Sequence, residues 1–141
     1  MTARNVASLP APVSSVQVAI SPGELIDRIT ILEIKADRIA APDKRANVRH
    51  ELDALRATRA ASIPDSDALD RLAIDLRAVN TRLWDVEDEL RACERQSRFD
   101  DRFVALARAV YRNNDRRAAL KAEINALLGS AITEEKSYAA Y

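Results

Sequence analysis

The stretch from Leu69 to Cys93 restricts this chain more than any other. Leu69, Leu72, Leu76, Val79, Leu83, Val86, Leu90 and Cys93 follow one another at alternating spacings of three and four, an apolar seam kept through more than three heptads. The spacing predicts one long helix, capped by Asp65 or Ser66, running to about Gln96 and roughly 45 Å in length. Burying each seam side chain yields about 1.5–3 kcal/mol. Ordering each backbone unit costs about 1–2 kcal/mol, so the helix needs packed partners along its length.

Composition says what those partners are. With 141 residues, only 2 Gly, 5 Pro and 4% aromatic residues, the chain is one domain in which helix formers dominate. The predicted fold is an all-α antiparallel bundle with coiled-coil-like helices, three long and one shorter. Residues 1–15 are expected to be a flexible tail, 16–129 the bundle, and 130–141 a C-terminal tail docked on it. Lys and Arg number 22 and Asp and Glu also 22, which leaves no global field to attract nucleic acid. The one cysteine, Cys93, lies in the seam and has no partner for a disulfide, which points to a reducing, cytoplasmic setting. No apolar run approaches 18 residues, so neither export nor membrane insertion is expected.

In chain order, Ser15 to Ile20 alternates polar and apolar side chains, as expected of a docked coil or an intermolecular strand. Ser21-Pro22-Gly23-Glu24 is a helix start: Ser21 as N-cap, Pro22 at N1, and Glu24 spaced to reach back to the Ser21 amide. Leu25, Ile29, Leu32, Ala36 and Ile39 form the seam of this helix, with Ile26, Ile31 and Ile34 outside it. A helix apolar on several sides is expected to be central. Pro42 ends it, and a more polar peripheral helix follows from about Asp43 to Ala61. After Ser97-Arg98-Phe99 the chain turns back into a fourth helix from near Asp100 to Gly129, where glycine supplies the left-handed residue at the helix end. The seam of this last helix is broken by Asn113 and Arg117, within the polar run Arg112 to Arg117. Such a break marks either a functional position or a register device.

Three groups of residues invite a functional reading. Asp85, Glu87, Asp88 and Glu89 have the spacing of a cation site, but there is no Glu-x-x-His pair and His50 is far away in sequence. Ion pairs with Arg102, Arg108 and Arg112 across a helical hairpin account for them better, and neither a metal nor a cofactor is expected. Arg108, Tyr111, Asn114 and Lys121 are the candidate contacts for a small anionic ligand. Trp84, Ile31 and Ile34, outside the principal seams together with Ile74, are the candidate interaction surface. With no glycine-rich loop, one histidine and one seam cysteine, nucleotide-loop, triad and zinc chemistries lack their parts, and an enzyme is the less favoured reading.

Several phrases resemble a family of short bacterial helical domains of unknown function. They are the opening Ser21 to Lys35, Leu83-Trp84-Asp85-Val86-Glu87-Asp88-Glu89-Leu90-Arg91, Leu106 to Tyr111 with Asn114-Asp115, and Glu134-Glu135-Lys136-Ser137-Tyr138. The resemblance covers about residues 16–141 and brings no catalytic residues with it. It implies a helical domain found near or joined to glycosyltransferase or tetratricopeptide segments, hence a link to bacterial surface-polysaccharide pathways. The chain reads as an interaction or assembly module, self-associating or bound to a protein partner. The alternatives are a binding protein or enzyme for a phosphosugar-like anion, and a helical mutase of the chorismate mutase type. For the last, Arg28 and Lys35 share a helical face but the remaining pattern is not matched.

Overall fold

The structure is a computed structural model that describes residues 9–141. Four helices account for its order: α1 Pro22–Arg38, α2 Pro42–Ser62, α3 Asp67–Arg95 and α4 Asp101–Leu128. No strand occurs among the described residues. The expected N-terminal tail falls partly on residues 1–8, which lie outside the described residues.

Local chemistry explains each boundary. The Ser21, Ser66 and Asp100 side chains accept from the backbone N–H groups of Glu24, Leu69 and Phe103, meeting donors that the first helical turn cannot pair. Gly129, at φ 64°, ends α4 in the left-handed region. Helix α1 is 17 residues long, α2 21, α3 29 and α4 28, so two helices are long and two shorter, rather than three and one. Between α1 and α2 the chain is extended at Ala41, at φ −63° and ψ 121°, because Pro42 at the start of α2 disfavours helix in the residue before it.

Helix α1 is the central element, packing against α2, α3 and α4, with Leu25, Ile26, Ile29, Leu32 and Ile34 buried. One core layer joins Ile26 to Leu69 and Leu76 of α3 and Leu120 and Ile124 of α4. A second joins Leu25, Ile29 and Leu32 to Leu52 of α2, and a third holds Val86, Cys93 and Leu106 in the α3–α4 hairpin. The α3 seam is therefore hidden at Leu69, Leu76, Val86 and Cys93, while Leu72, Val79, Leu83 and Leu90 are half-buried. Helix α2 has one buried residue, Leu52, as its polar sequence implies.

The extended segment before α1 does not dock. Val16 and Val18 are 77% and 70% exposed, and only Ile20 meets the core, because a lone extended segment has no neighbouring strand for its backbone groups. Gly23 has a different reason to be where it is. A Cβ there would meet the Lys121 carbonyl oxygen at 2.5 Å and Asn125 Oδ1 at 2.8 Å, so only a bare backbone lets α1 start directly on α4.

The substitution Gly23→Ala gains roughly 1 kcal/mol of helix propensity. It forces an overlap with rigid backbone, for which overpacking costs about 1–3 kcal/mol. A net loss of stability is expected, read as a lower midpoint in denaturant unfolding with the slope unchanged; a more stable variant would show that α1 and α4 are not in such close approach.

Candidate functional site

Of the two residues that break the α4 seam, Asn113 donates to the Ala109 carbonyl of its own helix and Arg117 faces α1. Val110, Asn114, Arg117, Lys121 and Asn125 recur at three- and four-residue spacing and lie on one face of α4. Three of them meet α1 in reverse chain order. Asn125 Oδ1 accepts from the Gly23 N–H at 2.7 Å, Lys121 Nζ donates to Glu24 Oε2 at 2.6 Å, and Arg117 donates to Asp27 through Nε at 2.9 Å and a terminal nitrogen at 2.5 Å.

Asp27 is the deepest charge among the described residues, 1% exposed in the middle of the α1 apolar surface. A carboxylate there requires nearly all its acceptor sites filled. Besides the two-pronged Arg117 contact, Asp27 Oδ1 accepts from Asn80 of α3 at 2.9 Å. Asn80 also donates to the Thr30 hydroxyl at 2.9 Å, and that hydroxyl donates to the Asp27 backbone carbonyl at 2.7 Å. Side chains from α3 and α4 thus converge on one carboxylate of α1. The Asp27 hydrogen bond holds the Arg117 guanidinium above its ordinary range, outweighing the opposing effect of burial.

One helical turn earlier in α1 lies a more exposed network. Burial pushes the Glu24 carboxyl up, but hydrogen bonds from Lys121 and Arg28 outweigh it and leave it below its ordinary value. For Lys121 burial works downward, and the bonds to Glu134 and Glu24 overcome it, so the ammonium is held above its ordinary value. Glu24 is consequently turned to Lys121 and Arg28, and only half of the predicted capping box forms: Ser21 Oγ accepts from Glu24 N–H.

Past Asp27 the α1–α4 contact becomes apolar and opens. A groove of about 450 Å³ is lined by Ile31 and Ile34 of α1, Leu83 and Trp84 of α3 and Val110 of α4. Asn80 and Arg117 lie at its polar end, and Glu87, Asp88 and Arg91 on its α3 rim.

The candidate ligand contacts do not gather as one set. Arg108 is exposed and lines none of these spaces, and it is roughly 20 Å along α4 from Lys121. Tyr111 is 42% exposed and packs edge-on to Tyr141. The Tyr141 hydroxyl donates to Asp115 at 2.5 Å, which keeps the phenol above its ordinary range. Asn114 borders both the Trp84 groove and a second open space beside Tyr138 and Tyr141, and Lys121 faces Glu24 and Glu134. Of the candidate surface residues, Trp84 and Ile31 are half-buried and Ile34 is only 3% exposed, so Ile34 forms the groove floor rather than a surface.

Of the predicted hairpin ion pairs only Glu89–Arg102 forms. Asp85 pairs with Arg38 of α1 and Glu87 with Arg91 of its own helix, because α1 reaches Asp85 before α4 does. No group of three metal-ligating side chains occurs among the described residues, and no described helix is long and apolar enough to cross a membrane.

The fold and this convergence define an all-helical domain organised on a buried ionic junction between its first and fourth helices. Residues 16–141 match the family model described as "Family of unknown function (DUF6165)", and the chain belongs to that family. No curated protein and no solved structure matches the chain.

Removing Arg117 leaves the buried Asp27 carboxyl without its ion-pair partner, and breaking such pairs costs about 3–5 kcal/mol. With the Arg117 side chain 31% exposed, Arg117→Ala is expected at the lower end of that range, about 3 kcal/mol, with Asn80→Ala costing less. Urea unfolding measures both, and an Arg117→Ala loss below that of Asn80→Ala would contradict the assigned hierarchy.

The Glu24–Lys121 network also sets a pH window. Glu24 titrates lower in the folded state than its ordinary 4.5, so its stabilisation is present above that value and lost as pH falls through the folded value. Lys121 titrates higher than its ordinary 10.5, so its share is present below that value and lost as pH rises through the folded one. Thermal melts of Glu24→Gln should therefore show a shallower acid limb than the parent, and those of Lys121→Met a shallower alkaline limb.

Proposed function

We propose that this chain is a self-associating helical assembly module, and that the Trp84 groove is the surface on which two copies meet. The observation carrying this reading is the groove itself, in which a half-buried tryptophan stands between apolar walls beside a rim of mixed charge. Tryptophan and arginine are the side chains most enriched where binding energy concentrates. Glu87 and Asp88 lie within one helical turn of Arg91, whose own contact to Glu87 is long at 4.0 Å. Two α3 helices crossing in opposite directions about a two-fold axis would set Arg91 of each copy against the acidic pair of the other, a self-complementary pattern. A net charge of zero adds no long-range repulsion between copies. Coiled-coil-like antiparallel packing of the α3–α4 hairpin is the scaffold in this reading, and the buried thiol of Cys93 suits a cytoplasmic setting.

A place beside the glycosyltransferases of surface-polysaccharide synthesis, as a scaffold rather than the transferring enzyme, is carried by the resemblance and not by the geometry. The anion-binding alternative is weakened in its original form, because Arg108, Tyr111, Asn114 and Lys121 face different surroundings. The mutase alternative finds Arg28 half exposed and bound to Glu24.

Light scattering across a concentration series tests the proposal, with emission from Trp84, the only tryptophan, reporting on the groove. The expected result is a concentration-dependent dimer whose formation shifts the emission to shorter wavelength. Arg91→Glu should weaken it several-fold, and adding Glu87→Arg should restore it. A monomer at every concentration, or a dimer indifferent to both changes, would refute the assignment.

A further inference from the structure

Glu134 reaches back from the segment after α4 to the start of α1, where its two oxygens are divided between two donors. Oε1 accepts from the Ser21 hydroxyl at 2.7 Å and Oε2 from Lys121 Nζ at 2.8 Å. Both donors are held by groups other than Glu134. Ser21 is 2% exposed, and its Oγ accepts from the Glu24 N–H, which leaves the hydroxyl proton directed outward. The Lys121 side chain is 14% exposed and anchored by Glu24. Glu134, in contrast, is 38% exposed and belongs to no helix.

Charge shows what the cradle requires. Leaving Glu134 aside, the cations Arg28, Lys121 and Arg117 face only two carboxylates, Glu24 and Asp27, so one positive charge is uncompensated. Glu134 supplies the missing negative charge. A cavity of about 400 Å³ adjoins it, floored by Ala118, Ala122 and Ala126 and edged by Asn125, Thr133 and Lys136. That is a volume typical of small-molecule sites.

We propose that Ser21 and Lys121 form a binding site for a small-molecule oxyanion, a carboxylate or phosphate group whose attached body fills this cavity, and that Glu134 is the intramolecular occupant which the ligand displaces. The two groups that hold Glu134 are both donors, a hydroxyl proton and an ammonium, and both are satisfied by an acceptor carrying negative charge. Glu134 is tethered and competes at a high effective concentration, so the apparent affinity for a free anion is reduced by the fraction of molecules in which Glu134 is seated. This site is separate from the Trp84 groove and does not depend on self-association.

Titration of the full chain with inorganic phosphate and with acetate, followed by amide chemical shifts, tests the proposal and tells the two oxyanions apart. Glu134→Gln removes the competing charge from an exposed position and should raise the affinity for at least one of them about tenfold. Glu134→Ala should do the same if charge rather than the glutamine amide is responsible. Adding Lys121→Met to either variant should abolish the gain, with helical circular dichroism confirming the fold. Unchanged affinity in both Glu134 variants, or tighter binding that survives Lys121→Met, would overturn the proposal.

Discussion

A single carboxylate in the wrong solvent governs this architecture. Asp27 lies where the α1 pattern would otherwise place an apolar residue, and its near-complete burial can persist only while Arg117 and Asn80 remain in reach. Since Arg117 comes from α4 and Asn80 from α3, the charge specifies which helices surround α1 and at what height. An apolar residue at the same point would tolerate sliding by a turn; this carboxylate does not.

The same junction divides the α1–α4 contact in two. Toward the start of α1 it is polar and closed, with Gly23 pressed against the Lys121 backbone and Glu24 shared between cations. Toward the end of α1 it is apolar and open, with Ile31, Ile34, Val110 and Trp84 around an unfilled groove. Rigidity at one end and accessible apolar surface at the other are what a domain needs to present a recognition surface of fixed shape.

Much of this was legible in the sequence, and the illegible part has a physical reason. Ser21, Ser66 and Gly129 announce helix ends because capping is local chemistry read over a few residues. The central position of α1 follows from apolar residues on several of its faces. Arg117 stood out as a seam break, yet its partner Asp27 is 90 positions away, and no helical period connects them. Asn80 gave no signal, since it follows Val79 of the seam and resembles an ordinary polar flank. The capping box forms by half: Glu24 is correctly spaced for the Ser21 amide, but two cations compete better than a single neutral donor for its oxygens.

The manner in which α2 is attached has a consequence for motion. Its backbone packs against α1 alone, with Leu52 as its one buried side chain, and exposed contacts such as Arg56–Glu33 and Arg59–Asp70 add little. The remaining three helices are tied together by two core layers and the Asp27 junction, so α2 can detach as a unit without unravelling them. Its amide protons then exchange with solvent through that partial opening well before the rest of the molecule yields, and each such excursion bares Leu25, Ile29 and Leu32 as a transient sticky stripe.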